Sequence, residues 1–225
     1  MLSPCNAWTV GGFDSATEGQ TLIEHWNGAA WKKVTSPTPG TGDGVLDGVT
    51  AVSPGNIWAV GSYLDGGVSK TLILHWNGRT WTQVASANPS PASNELAAVS
   101  ATSASDAWAV GNFKSGSKDK TLIEHWNGRT WSKLASPSPS QENLLNAVAA
   151  TSASNAWAVG GFFNGTTSRS LILHWDGRAW KTVTGPEPGT ANELFAVSAS
   201  SASNIWAVGN YRAGGVFQAF AVHCC

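Results

Sequence analysis

Short apolar strings bounded by turn residues recur along the whole chain. Each string is rich in Val, Ile, Leu and Trp, and Gly, Pro, Asn or Ser stands at its ends. Such strings are typical of β-strands, and no stretch has the sustained period of a helix. Within a string the apolar residues are nearly continuous, which indicates sheets that are covered on both faces. The pattern therefore predicts an all-β protein.

Four of these strings follow one another in a fixed order and repeat every 49 or 50 residues. We name the predicted strands a (L-x-[AG]-V), b (W-[AT]-V-G), c (L-I-x-H-W) and d (a Trp followed by Val or Leu). Each strand c carries a histidine, and its last copy degrades to F-A-V-H-C-C. The repeat interval is measured between the strand b tryptophans, which are Trp8, Trp58, Trp108, Trp157 and Trp206.

Turn signals separate the strands. Asn-Gly or Asp-Gly stands between strands c and d at residues 27–28, 77–78, 127–128 and 176–177. Because Asn and Gly tolerate a positive φ, we expect a two-residue type I′ hairpin at each position. A second turn, Ser-x-x-Asn or Ser-x-x-Asp, precedes each strand b.

A period of about 50 residues with four strands is one blade of a β-propeller. The sequence thus predicts an all-β, five-bladed β-propeller of four-stranded antiparallel blades, forming a single domain over residues 1–225. The repeats cover approximately residues 1–45, 46–95, 96–144, 145–193 and 194–225. Strand a carries a small residue in each copy, as an innermost strand near the axis requires; these residues are Gly48, Ala98, Ala147 and Ala196.

The first copy has no strand a and the last has no strand d, so 18 strands are expected. Three arrangements agree with this count: three-stranded terminal blades, a piece of a longer propeller, or an association of two chains. We expect a monomer, or a dimer if the ring is incomplete.

The cysteines bear on ring closure. Cys5 lies in an a–b turn, and Cys224 and Cys225 lie at a c–d turn position, on the same face of a blade. A disulfide between Cys5 and either of the others would join the first and last blades and contribute about 2–4 kcal/mol. A Cys224–Cys225 disulfide and three free thiols are the alternatives. The clamp would indicate an oxidising compartment.

The order L-x-A-V, W-A-V-G-G-x-F, L-I-x-H-W-N-G and W-x-x-V-x-S-P resembles the kelch repeat. It is similar, too, to Trp-rich propeller repeats of secreted bacterial proteins. The kelch family has Gly-Gly after strand b, a pair that is complete only at Gly11-Gly12 and Gly160-Gly161. The resemblance implies a propeller that binds proteins or, as propeller lectins do, glycans.

Charged residues make up 12% of the chain, and the formal net charge is −1. Nucleic acid and anionic membranes require a basic patch, so neither is an expected partner. No apolar run of membrane-spanning length occurs. The start, M-L-S-P-C, lacks the apolar stretch of a signal peptide and is interpreted as the edge of a fragment. Low lysine content and a polar, Trp-rich composition favour an extracellular, secreted protein.

The b–c and d–a connections share one face and vary between copies, whereas the a–b and c–d turns hardly change. Variable loops on a rigid scaffold are the usual place for recognition, although loops also vary where nothing constrains them. An aromatic residue at the root of each b–c loop either stacks on a sugar or caps the blade core. The candidate ligand-binding residues are Phe13, Asp14, Tyr63, Asp65, Phe113, Lys114, Phe162, Asn164, Tyr211 and Arg212.

The 13 tryptophans recur at fixed strand positions, so core packing explains them better than glycan binding does. The histidines occupy one position of strand c, too far apart to share a metal ion. We expect each beside a Trp and hydrogen-bonded to a neighbouring strand. No metal site, cofactor or catalytic motif is predicted.

These features favour a non-enzymatic extracellular binding module with glycan as its ligand and pockets that repeat between blades. A protein-interaction scaffold of the kelch type is an alternative, and it predicts one asymmetric patch. A carbohydrate-active hydrolase or lyase is a further alternative, in which two carboxylates meet at the mouth of the ring. Its candidate acidic residues are Asp14, Glu18, Asp43, Asp47 and Asp65.

Overall fold

The computed structural model describes residues 2–15 and 18–224, apart from the side chain of Cys224. No helix in this part of the chain is long and apolar enough to cross a membrane. Its strands are β1 (Ala7–Asp14), β2 (Gly19–Trp26), β3 (Trp31–Lys33), β4 (Gly44–Ser53), β5 (Asn56–Asp65), β6 (Val68–Trp76), β7 (Trp81–Val84), β8 (Asn94–Ser103), β9 (Asp106–Ser115), β10 (Lys118–Trp126), β11 (Trp131–Leu134), β12 (Glu142–Ser152), β13 (Asn155–Phe163), β14 (Ser168–Trp175), β15 (Trp180–Thr182), β16 (Glu193–Ser201), β17 (Asn204–Ala213) and β18 (Val216–Cys224).

The strands form five antiparallel sheets in which each strand pairs with the next one along the chain. The sheets are β1–β3, β4–β7, β8–β11, β12–β15 and β16–β18, and each is one blade, numbered 1 to 5 in chain order. Blades 2 to 4 contain strands a to d in that order, whereas blade 1 contains strands b to d and blade 5 strands a to c. The chain is therefore a five-bladed β-propeller, as the repeats predict, and its first and last blades have three strands.

Tryptophans hold neighbouring blades together. Trp108 on strand b of blade 3 is fully buried and contacts two tryptophans of blade 4. Its ring centroid lies 5.2 Å from that of Trp175 and 5.3 Å from that of Trp180, the latter edge to face. Trp8 and Trp58 make the same two contacts with the blade that follows each of them. These contacts confirm the core packing that the repeat positions predict.

Strands a of neighbouring blades pack side by side and form the inner wall. A Cβ atom on Gly48 would lie only 3.0 Å from the Cα of Ala98 on the next strand a, so small residues are required here, as predicted. Each strand a also contains a β-bulge: the register shifts between Leu46 and Gly48, which leaves Asp47 outside the ladder. The other strands a are bulged at the same position.

The bulge explains the glycine that ends each W-A-V-G string. A Cβ on Gly111 would lie 2.8 Å from the Cα of Leu96 and still closer to the carbonyl oxygen of Glu95, both in strand a of the same blade. Gly160 and its equivalents in blades 2 and 5 are equally crowded. A Cβ placed on Gly11 would have no neighbouring atom within 4 Å. In blade 1 the glycine is therefore not required by packing.

We expect Gly111→Ala to destabilise the chain by about 3 kcal/mol, because the added Cβ displaces the backbone of the bulge. Gly11→Ala is the matched control at the same repeat position. It should stay within about 0.5 kcal/mol of the parent, since alanine loses less conformational entropy on folding than glycine does. Urea unfolding followed by tryptophan fluorescence measures both variants. Equal destabilisation by the two substitutions would contradict the role of the bulge.

The c–d hairpins differ from the predicted type I′ turns. Trp26 pairs with Trp31, so the loop contains the four residues 27–30. Gly28 has a φ of 94°, whereas Asn27 does not have the positive φ that a type I′ turn requires. Instead, the Asn27 side chain accepts hydrogen bonds of 3.0 Å from the last two N–H groups of the loop. The two-residue prediction was wrong because this side-chain cap stabilises a wider turn.

The a–b turn is fixed by strand c of its own blade. In blade 3, His125 packs on Trp108 with ring centroids 4.1 Å apart, and its Nε2 lies 2.7 Å from a carboxylate oxygen of Asp106. The indole N–H of Trp126 donates to the carbonyl oxygen of Ala104 at 3.0 Å. Asparagine replaces Asp106 in the other blades, where the same pair with histidine measures 2.7–3.1 Å. The histidines therefore lie beside a Trp and are hydrogen-bonded, as predicted.

Glu124 on strand c of blade 3 is a fully buried carboxyl group. One of its oxygens accepts a hydrogen bond of 2.9 Å from the N–H of Ala87 in blade 2, and the other has no hydrogen-bond partner. Burial raises the pKa of Glu124 to about 7, and the hydrogen bond from Ala87 offsets this only in part. Glu24 occupies this repeat position in blade 1, whereas Leu74 and Leu173 occupy it in blades 2 and 4, so the carboxyl group is not a regular feature of the repeat.

Glu124→Leu should remove a dependence of stability on pH. The folded chain keeps a proton on Glu124 that the unfolded chain releases above the ordinary pKa of 4.5, so stability falls as the pH rises from about 4.5 to about 7. A shift of this size corresponds to on the order of 3 kcal/mol. Urea unfolding at pH 4.5 and pH 8 should show the parent chain losing this much relative to the variant.

Ala87→Pro is the companion substitution, because it removes the N–H that Glu124 uses. It should destabilise the parent most above pH 7, where the carboxylate has lost its only donor. In the Glu124→Leu background it should be nearly neutral, since proline stands at this loop position in the other copies, Pro37, Pro137 and Pro186. An Ala87→Pro effect that is the same in both backgrounds would rule out the pairing.

The outer faces of the first and last blades lack the cover that the inner blades have. Trp206 is 50% exposed, whereas its equivalent Trp108 is completely buried. Trp31 on strand d of blade 1 is 47% exposed, whereas its equivalent Trp131 is 7% exposed. Blades 1 and 5 therefore do not pack on each other in this structure as neighbouring blades do.

Cys5 is exposed and its thiol is free. It lies against the c–d hairpin of its own blade, since a Cβ on Gly28 would be 3.0 Å from the Cβ of Cys5. The a–b and c–d turns thus share one face, as expected. Because the Cys5 thiol is free, the structure does not show the predicted disulfide clamp; Cys225 and the side chain of Cys224 lie outside the described residues.

Candidate functional site

The b–c and d–a connections form the loop face of the propeller, and this face rests on a fixed backbone. In the connection from blade 3 to blade 4, Asn143 is fully buried, and its Oδ1 accepts a hydrogen bond of 3.1 Å from the N–H of Ser140. Its Nδ2 donates to the carbonyl oxygens of Ser140 and Asp119 at 2.8 and 2.7 Å. Asn94 and Asn192 hold their own connections in the same way. Three of the four d–a connections are therefore anchored by an asparagine at the same repeat position.

The five predicted aromatic residues lie one per blade at the loop-face end of strand b, and the structure does not bring them together. Tyr63, Phe113 and Phe162 pack against the apolar cores of their blades. The Tyr211 hydroxyl donates to the side chain of Gln218 at 2.6 Å, and Phe13 lies 3.5 Å below the Nζ of Lys33. Each ring is therefore held in place by contacts within the propeller.

The other candidate residues occupy the b–c hairpins, and several already have local partners. Lys114 forms an ion pair of 2.9 Å with Asp119. Asn164 accepts hydrogen bonds from two N–H groups of its own turn. Arg212 lies 5.9 Å from the ring of Phe217. Two more candidates, Asp14 and Asp65, are exposed at hairpin ends.

A cleft opens on the loop face between blades 4 and 5. Glu193 on strand a of blade 5 is oriented by Asn146, whose Nδ2 donates to Glu193 Oε1 at 3.0 Å. Gly161 leaves room beside it, because a Cβ there would lie 3.2 Å from the Cγ of Glu193. The cleft thus combines aromatic and apolar walls with two carboxylates. It is lined by Glu142, Leu144, Gly161, Phe162, Phe163, Ser168, Asn192 and Glu193.

Of the residues predicted from sequence, only Phe162 lines this cleft. Glu142, Phe163 and Glu193 were missed. The position of Phe163 is occupied by Asp14, Leu64, Lys114 or Arg212 in the other blades, whereas Glu193 has an equivalent in Glu95 of blade 3. The departure at Phe163 is the signal that could have identified that residue. The second aromatic ring distinguishes this cleft from the equivalent junctions of the other blades.

Two acidic residues meet at the inner wall between blades 2 and 3. Asp47 is the bulged residue of β4, and burial together with the negative charge of Glu95 on β8 raises its pKa. A carboxyl group with a raised pKa beside a second carboxylate is an arrangement that general acids use. Asp43, another acidic candidate, accepts a hydrogen bond of 2.7 Å from the N–H of Gly19 and so ties down a loop.

A second groove runs beside Phe113 on blade 3. The Nζ of Lys133 lies 5.2 Å from the ring centroid of Phe113, and blade 1 repeats this contact with Lys33 over Phe13. The groove offers cationic groups and hydroxyls around an aromatic edge. It is lined by Phe113, Lys120, Thr121, Lys133, Ala135, Ser136 and Ser138.

Within residues 2–15 and 18–224, no group of three or more His, Cys, Asp or Glu side chains is arranged to hold a metal ion. Each histidine instead pairs with the asparagine or aspartate of its a–b turn.

The chain matches no protein-family model, and no curated protein matches it in sequence. Membership of the kelch family is therefore not confirmed. Solved structures share its fold. A protein of unknown function from Dyadobacter fermentans is 15% identical with a TM-score of 0.59, over 93% of this chain and 65% of that chain.

Two further similar structures have ligands. An ulvan lyase of a new polysaccharide lyase family, bound to -[GlcA(1-4)Rha3S]-, is 12% identical with a TM-score of 0.58, over 99% of this chain and 63% of that one. YCF48 bound to D1 peptide is 14% identical with a TM-score of 0.51, over 92% of this chain and 64% of the YCF48 chain. The chain spans less than two thirds of the length of all three proteins. At these identities the likeness establishes the β-propeller fold alone.

Proposed function

We propose that the chain is a non-enzymatic binding module that recognises an extended peptide in the cleft between blades 4 and 5. The observation that carries this proposal is the combination of Phe162, Phe163 and Leu144 with the carboxylates of Glu142 and Glu193. Apolar walls accept an apolar side chain, and the two carboxylates attract a basic one. The preferred ligand is therefore a segment that contains both kinds of residue.

The asymmetry of the cleft supports a peptide over a repeated sugar unit. A propeller lectin is expected to present equivalent pockets between successive blades, whereas a protein-interaction scaffold needs one patch. Phe163 has no aromatic equivalent in the other blades, where Asp14, Leu64, Lys114 and Arg212 occupy its position. A propeller of similar fold, YCF48, has been solved bound to a peptide. An extracellular location is part of the proposal and rests on the low lysine content.

Selection from a peptide display library, followed by calorimetry with the selected sequences, tests the proposal. Phe163→Ala and Glu142→Gln should each weaken binding tenfold or more, about 1.4 kcal/mol or above. Leu64→Ala is the matched control, because Leu64 occupies the position of Phe163 in blade 2. It should leave the affinity unchanged. Selected peptides without a basic residue, or peptides that bind the Phe163→Ala variant normally, would refute the assignment.

Glycan binding is the second candidate, and the groove beside Phe113 favours it. Lys120 and Lys133 with the hydroxyls of Ser136 and Ser138 suit a sugar that carries carboxylate or sulfate groups. The contact between a lysine and the aromatic ring recurs in blade 1, as a repeated site would require. The ulvan lyase of similar fold is bound to a sulfated, uronic-acid-containing saccharide.

Titration with sulfated and carboxylated oligosaccharides tests this candidate. Lys133→Ala should weaken binding about tenfold, whereas Lys181→Ala, which removes an exposed lysine from strand d of blade 4, should not. The mixtures are also assayed for cleavage products, because Asp47 beside Glu95 would supply the acid of a hydrolase. Cleavage that disappears in Asp47→Asn would replace both binding proposals with an enzyme.

A further inference from the structure

The outer edge of β1 is a free sheet edge. β1 pairs with β2 on one side, and no strand in the described residues pairs with its other side. In the four other blades that side of strand b carries strand a, as β8 lies beside β9. The N–H and C=O groups along this edge of β1 can therefore accept another strand.

Gly11 shows that the edge keeps the shape that strand a requires. In blades 2 to 5 the equivalent glycine lies directly against the bulge of strand a, with the Cα of Leu46 only 2.8 Å from a Cβ placed on Gly61. The same space beside Gly11 is open. Blade 1 thus retains the glycine that a bulged strand needs, although no bulged strand lies there.

A cavity continues this open edge towards blade 2. It is lined by Leu2 and Trp8 on one side and by Val49, Thr50 and Ala51 of β4 on the other. Between the inner blades, strands a pack side by side in this region. The edge of β1 and the wall of β4 therefore form an open slot, which we name the β1 slot.

We propose that the β1 slot binds an extended segment of the strand a type, L-x-[AG]-V, which adds to blade 1 as its fourth strand. Backbone hydrogen bonds to β1 would supply affinity, and side-chain pockets would supply specificity. The small residue of the segment would lie against Gly48 of β4, as Ala98 does from the other side. A bulky residue at that position would not fit. The proposal continues an interface that the chain already builds in blades 2 to 5, and it does not depend on the function of the loop face.

A labelled synthetic peptide with the sequence of residues 93–101, S-N-E-L-A-A-V-S-A, is the probe. Fluorescence anisotropy should show saturable binding to the whole chain. Gly11→Ala, which should fold normally, should weaken binding at least tenfold, because its Cβ would meet the bulge of the peptide. Phe217→Ala removes an exposed aromatic residue of blade 5 and should have no effect. A peptide with Trp in place of the residue that corresponds to Ala98 should not bind.

Hydrogen exchange on the unmodified chain provides a readout that needs no variant. The peptide should slow exchange along Ala7–Asp14 and leave Asn204–Ala213 of blade 5 unchanged. Binding that survives Gly11→Ala, or protection that appears only on blade 5, would overturn the proposal. So would the absence of any binding at millimolar peptide.

Discussion

The contact on which the structure depends is the one between a strand b tryptophan and two tryptophans of the following blade. A sheet of three or four strands has little independent stability unless one of its faces is covered. A buried tryptophan removes on the order of 150–250 Å² from water, so a cluster of three such rings stabilises each of the three junctions between blades 1 and 4 by several kcal/mol. Trp108 between Trp175 and Trp180 shows the arrangement in full. Each blade is consequently stable because its neighbours are present.

Because of this constraint, the turns on one face of the propeller are nearly the same in every blade, whereas the loops on the other face differ. The a–b and c–d turns are tied to the tryptophan layer through pairs such as His125 with Asp106 and Trp126 with Ala104, so they hardly vary. On the opposite face a single buried asparagine anchors three of the four d–a connections, and the residues around it are free to change. The candidate cleft lies on this face, between two successive blades. The free edge of β1 keeps Gly11, and in the other blades the glycine at this repeat position lies against strand a.

Most of the architecture could be predicted because it is encoded in every repeat. The tryptophan spacing predicted the blades, and the small residues of strand a predicted the inner wall that Gly48 and Ala98 form. The site could not be predicted in the same way, since Phe163 and Glu193 belong to different repeats and meet only when two blades pack. The same reason applies to Glu124, whose partner Ala87 is in another blade. The prediction of two-residue type I′ turns between strands c and d was wrong for a local reason. Asn27 stabilises the turn through its side chain and does not have a positive φ.

Amide hydrogen exchange of the unmodified chain, resolved by blade, tests the dependence of each blade on its neighbours most directly. Strands b and c of blades 2 to 4 should exchange only through global unfolding, because both of their faces are covered. β17 of blade 5, where Trp206 is half exposed, should exchange faster through local opening. Protection in β17 equal to that in β9 would contradict the account, since it would mean that a blade needs no neighbour over its tryptophan.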